Sequence, residues 1–223
     1  MFGDGGSGLR FVIARLVMAV VLVGGLIWWL MPGRGEEEFV DAQNALRKVR
    51  SWRVQATFES PDQSHRMLIE FACPSQDHTR RDVTFKDGHS PFHLETTHIG
   101  LEGFERMPNG QWKRRNGEFG PGYTVCRALL QGQDMEPMPP LLLFLKRGVI
   151  RKGERTTVGG APCREWKVQV MVGPGQLETE SICLGVEDHL PRRRIAKDRE
   201  YIYYDWNSPV EIEAPALSDP PTL

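Results

Sequence analysis

Two hydrophobic periods organise the chain. In EEEFVDAQNALRKVRSW, Phe39, Ala42, Leu46 and Val49 recur at intervals of three and four, one apolar stripe of a helix. Glutamates stand in its first turn and Arg47, Lys48 and Arg50 in its last, which suits the helix dipole. From Trp52 the period becomes two: Trp52, Val54, Ala56 and Phe58 alternate with Arg53, Gln55 and Thr57, a half-buried strand. Ser60-Pro61-Asp62 turns the chain, and Met67, Ile69 and Phe71 mark the next strand. Further strands are expected at Thr79–Phe85 and Phe92–Ile99, and at Gly103–Met107 and Gln111–Arg114 around the hairpin signal Pro108-Asn109-Gly110.

The rhythm breaks at Cys126–Gln131 and at Leu141–Leu145, two short apolar helices placed to cover a sheet. It resumes with Val149–Thr157, then Val168, Val170 and Val172 across a turn from Leu177–Leu184. In HLPRRRIAKDREYIYYDWN a strand begins at Leu190-Pro191, turns at Lys197-Asp198-Arg199 and returns through Tyr201, Tyr203 and Asp205. Val210–Glu213 is expected to be a short last strand, and the proline-containing tail irregular. Helix, many strands, a helical interruption and more strands, all joined by short turns, describe an α+β domain with an antiparallel meander. The expectation is one curved sheet wrapped around short helices.

A different pattern precedes the domain. Leu16–Met31 is uncharged, about 24 Å long as a helix, and about 32 Å when counted from Phe11, against a hydrocarbon core of about 30 Å. Arg15 can snorkel to the headgroups, and Trp28 and Trp29 suit the far interface. No A-x-A cleavage site follows, so the segment is expected to be an uncleaved signal-anchor. Arg10 and Arg15 before it and Glu36–Glu38 after it leave a short cytoplasmic N-terminus at 1–9 and a transmembrane helix at 10–31. A linker at 32–38, a periplasmic domain at 39–215 and a tail at 216–223 complete the expected single-pass protein of the inner membrane. Export makes the four cysteines a disulfide question. The turn at Gly173-Pro174-Gly175 brings Cys163 and Cys183 nearly opposite and favours a bridge, leaving Cys73 for Cys126; three connectivities are formally open, as are unbridged thiols.

Charge removes one function class. With 28 Lys and Arg against 29 Asp and Glu, the net charge is −1, and Asp188, Asp198, Glu200 and Asp205 lie among the basic residues of the last strands. Nucleic acid is not expected as a partner; that stretch reads as a solvated strand face with aromatic cross-strand pairs. His89, His93 and His98 read as surface histidines on an edge rather than metal ligands, and Glu187-Asp188-His189 as turn chemistry. No P-loop, G-x-S-x-G or dinucleotide fingerprint is present. Neither catalysis nor a cofactor is expected.

Several segments together, ALRKVRSW, GFERMPNGQWKR, APCREWKV, SICLGVEDHLPRRR and YIYYDWNSPVEIEAP, resemble the LolA/LppX-like superfamily of lipoprotein-sorting and lipoprotein-carrier envelope proteins. The resemblance runs in patches from about Ala45 to Pro215. It implies an unclosed, strongly curved antiparallel half-barrel with helices in its concavity, which binds acyl chains or other apolar molecules between sheet and helices. The family has no single catalytic or ligand residue to carry over, and a tethered chain cannot shuttle as its soluble carriers do. The large apolar groups Trp52, Phe58, Phe71, Phe92, Trp112, Trp166 and Val168 are expected to line one face of the sheet, under Leu142 and Phe144 of the LLLFL segment. The expected function is to hold a lipid, lipoprotein acyl chain or other apolar ligand there; the alternative is an envelope interaction or sensor protein whose core is filled.

Overall fold

The computed structural model describes residues 34–115, 120–133, 135–173 and 175–217. The expected transmembrane helix at 10–31 lies outside them. Among the described residues no helix is long and apolar enough to cross a membrane.

Helix α1 (Arg34–Leu46) opens the domain. It starts inside the stretch expected to be a linker, because Glu36 and Glu37 suit its first turn and Gly35 lies flat against Trp166 and Ile150, where a Cβ would come within 3.0 Å of the indole. It ends at Leu46, before the Arg47, Lys48 and Arg50 expected in its last turn, yet Val49 is still buried just beyond it. Six strands come next: β1 (Ser51–Glu59), β2 (Gln63–Ala72), β3 (Gln76–Phe85), β4 (Phe92–Ile99), β5 (Glu102–Arg106) and β6 (Trp112–Arg115). Helices α2 (Pro121–Gln131) and α3 (Leu141–Arg147) lead to β7 (Gly148–Val158), β8 (Ala161–Gly173), β9 (Gln176–Gly185), β10 (Pro191–Ala196) and β11 (Arg199–Tyr204).

All eleven strands form one antiparallel sheet in the order β6-β5-β4-β3-β2-β1-β11-β10-β9-β8-β7. Two meanders therefore meet where the first strand pairs with the last, with Val54 opposite Tyr203 and Ala56 opposite Tyr201. The sheet does not close, since β6 and β7 stand at opposite ends of that order. Neighbouring strands twist by about 20–25°, so a ribbon this wide cannot stay flat.

The expected strand at Val210–Glu213 does not form, although Ile212 is buried. Both edges of β1 and both edges of β11 already carry ladder bonds, so no edge beside them is free. Residues 207 and 208 instead bond back to the start of β1: Asn207 N–H to the Ser51 carbonyl at 2.7 Å, and the Ser51 hydroxyl to the Ser208 carbonyl at 2.6 Å.

Candidate functional site

One face of the sheet, together with the three helices, makes the core. Trp52, Val54 and Ala56 of β1, Ile69 and Phe71 of β2, Trp166 and Val168 of β8, Ile182 and Leu184 of β9, and Tyr201 and Tyr203 of β11 share one buried cluster with Phe39, Leu46, Val125, Leu129, Leu141 and Phe144 of the helices. Phe39 meets Phe144 and Trp166 edge to face at 6.1 and 5.9 Å, and Trp52 stacks on Phe71 at 4.4 Å.

The residues expected to form the apolar wall divide. Trp52, Phe71, Phe144 and Trp166 are fully buried in this cluster, as is Val168; Phe58 packs against it, and Leu142 is half-buried on α3. Phe92 shares the inner face by register, through Val83 and His65 to Phe58, but is half exposed at the start of β4. Trp112 is on the other face. It pairs with Arg106, whose guanidinium reaches Glu95 at 2.9 Å on the outer surface.

Two disulfides form: Cys163–Cys183, which the turn favoured, and the remaining pair, Cys73–Cys126. Cys73–Cys126 ties the end of β2 to α2 with Cα atoms 5.6 Å apart, and Cys163–Cys183 ties β8 to β9 at 5.5 Å. The first works with a buried polar anchor. Asp77, fully buried, accepts from the Gly122 N–H at 2.8 Å in the first turn of α2 and sits 3.1 Å from His98 Nδ1. Glycines are required here, because a Cβ at Gly120 would fall 2.3 Å from His98 and one at Gly122 2.7 Å from the Gln76 carbonyl. His98 is thus a buried helix anchor, not a surface histidine as expected, while His93 bonds Asp82 on the outer face and His89 is exposed. Among the described residues no group of three or more His, Cys, Asp or Glu could hold a metal ion.

The basic run is likewise not simply solvated. A bulge lies between Pro191 and Arg193, after which Arg194 faces inward opposite Ile182 and Tyr201. Arg194 is 5% exposed, its guanidinium 2.8 Å from Glu180 and 5.3 Å over the Tyr201 ring. Burial opposes its charge, and the Glu180 carboxylate outweighs burial, so its pKa is raised. The segment joining α2 to α3 closes over this group. Tyr201 donates to Glu136 at 3.0 Å, Tyr203 donates to the Pro137 carbonyl at 2.6 Å, and Arg199 reaches Glu136 at 3.3 Å, while Met138 is buried in the core. Burial first, and then the charge on Glu136, raise the Tyr201 phenol pKa; burial raises that of Tyr203 further.

Beside this closure the inner face opens. A pocket of about 340 Å³ lies among Phe58, Gln63, His65, Met67, Arg81 and Arg199, with Glu59, Ser60 and Asp198 at its turns. Phe58 and Met67 pack against the core cluster, so the apolar interior continues into the pocket floor. The rim is polar and of mixed charge, with Arg81 and Arg199 beside Glu59 and Asp198: Arg199 lies 5.3 Å over the Phe58 ring, and Arg81 Nη2 is 3.1 Å from His65 Nδ1. Burial and the nearby Arg81 charge lower the His65 pKa. The volume is at the lower end of small-molecule sites. His65 and Arg81 were not singled out by the sequence pattern, and Met67 only as an apolar position of a strand, because β2 and β3 read there as ordinary alternating strands.

No family model matches the chain, and no curated protein matches it. Solved structures do. LprF from Mycobacterium bovis superposes with a TM-score of 0.59 at 12% identity, covering 82% of this chain and 97% of that one. The lipoprotein LppX of Mycobacterium tuberculosis superposes with a TM-score of 0.51 at 10% identity, covering 80% and 97%.

Proposed function

From a chain with the LolA/LppX-like fold, we propose a binding protein of the cell envelope that holds an acyl chain or other apolar ligand, of a lipid or a lipoprotein, on the inner face of a half-barrel sheet. The observation that carries this is the pocket at Phe58 and Met67, whose floor is continuous with the buried core. Burying each methylene there gains about 0.8 kcal/mol, so a greasy trough is enough and no covalent step is needed. The ligand enters at this mouth and lies over Phe58 and Met67, the floor that adjoins the buried core. In this reading residues 10–31 anchor the chain in the inner membrane, and the sheet works on the periplasmic side, receiving or handing over cargo at one membrane.

The test is mass spectrometry of organic extracts from the purified full chain. A stoichiometric acyl lipid is expected, and Met67→Glu, which places a charge on the pocket floor, should abolish it. Absence of lipid from the wild-type chain, with no uptake of added lipid, would overturn the proposal. A C-terminal alkaline phosphatase fusion tests the topology, activity being expected only if the C-terminus is exported.

The packing of Phe39 and Phe144 against Trp166 favours a second reading for the centre of the face, in which the core is filled and the protein is an interaction or sensor module. The same extraction separates the two: a filled core yields no lipid, and Met67→Glu then changes nothing in the extract.

A further inference from the structure

The rim of the pocket has a charge pattern that its floor does not explain. Most charged groups around it are already matched. Glu59 pairs with Lys86 at 3.0 Å, and Arg199 is held by Glu136 at 3.3 Å with Asp198 at 3.8 Å. Arg81 is different. Its inward position on β3 follows from register, opposite Met67 and Leu94. It is exposed to the pocket, and among the described residues no carboxylate pairs with it; its polar contact is the His65 ring. A guanidinium can only donate, so His65 Nδ1 accepts, and the ring proton is left on Nε2 as a further donor. A guanidinium with no carboxylate partner among the described residues and an imidazole N–H thus stand over an apolar floor of Phe58 and Met67, with matched pairs on either side.

We propose that this mouth selects single-chain amphiphiles with an anionic head, a fatty acid or a lysophospholipid, the head held by Arg81 beside His65 and the chain running over Phe58 and Met67. This rests on the reading of the pocket as an acyl site and adds the chemistry of the head. A guanidinium suits carboxylate and phosphate because its N–H groups match both oxygens of either head. A neutral head at the same place would leave that charge unanswered and gain only the chain.

The experiment uses the full chain in amphipol with dansyl-undecanoate and its methyl ester as fluorescent probes. The acid is expected to bind about tenfold more tightly than the ester. Arg81→Gln should erase that preference by weakening the acid alone, and Arg81→Lys should restore most of it. Arg81 is exposed, so these variants are expected to keep the wild-type urea midpoint, measured alongside. Acetate and inorganic phosphate at millimolar concentration should not displace the probe, because the chain supplies most of the affinity; displacement by either would show a free-anion site and overturn the amphiphile. Equal binding of acid and ester would overturn the anionic head while leaving the acyl site standing. Binding of neither probe would overturn both.

Discussion

Glu180 is the counter-charge that lets Arg194 sit inside the protein, and replacing it exposes how far that burial depends on one carboxylate. Arg194 Nε is 2.8 Å from Glu180 Oε2, and Nη2 is 3.4 Å from Oε1. Nη1 is buried without a hydrogen bond, with the exposed Glu136 carboxylate 3.5 Å away. Coulomb attraction over 2.8 Å is about 6 kcal/mol at an effective dielectric of about 20, and desolvation of the two ions offsets much of it. Glu180→Met keeps the volume and removes the charge, leaving the guanidinium uncompensated apart from Glu136. The expected loss is about 3–5 kcal/mol. Arg194→Met alone strands Glu180, whose side chain is 13% exposed, and is expected to cost about 3 kcal/mol. The double replacement removes both charges together and should fall within about 1 kcal/mol of the wild type. Urea unfolding of the four proteins closes the cycle, with a coupling of several kcal/mol expected from the failure of additivity. Single losses that simply add in the double variant would refute the reasoning, because the pair would then not be sharing a desolvated site.

Three further outcomes are expected. Replacing Cys73 and Cys126 by serine opens a crosslink spanning 53 residues, worth about 4 kcal/mol in chain entropy, against about 3 kcal/mol for Cys163 and Cys183, which span 20; paired urea titrations should rank them in that order. Asp77→Ala removes the acceptor of the Gly122 N–H and the partner of His98 and should cost about 1–3 kcal/mol, read as a lower thermal midpoint, whereas Asp82→Ala on the outer face should change little. His65 has a folded pKa below its ordinary value, so between the folded and unfolded values the unfolded chain binds more protons. Stability should therefore fall as pH drops below about 6.5, and His65→Gln should flatten that part of the pH–stability curve; a steeper slope in the variant would contradict it.

The parts of the fold legible in the sequence were those with local causes. Alternation through Trp52, Val54 and Ala56 marked a strand with one buried face, and Pro108-Asn109-Gly110 marked a hairpin, where Gly110 takes a φ of +83° that favours glycine. The facing of Trp112 was not legible, since its side of the sheet depends on register accumulated across every hairpin from β1 to β6, and a shift of one residue reverses it. Arg194 reads as a solvated charge until its distant partner Glu180 is placed opposite. The candidate site was hidden for the same reason: Phe58, Arg81 and Arg199 belong to three strands that meet only in the folded sheet.

The pairing of β1 with β11 sets a rule for how the domain can be completed. Ribosomes deliver β1 early and β11 last, so the middle of the sheet stays unzipped until residue 204 has emerged. Until then β1 offers a bare row of amides and carbonyls along Arg53–Phe58, the kind of template on which another chain can pair wrongly. A nascent chain halted before Arg199 should therefore be a client for chaperones rather than a smaller stable protein, and moving the termini to between β6 and α2 in sequence should shorten the wait by making the central pair local.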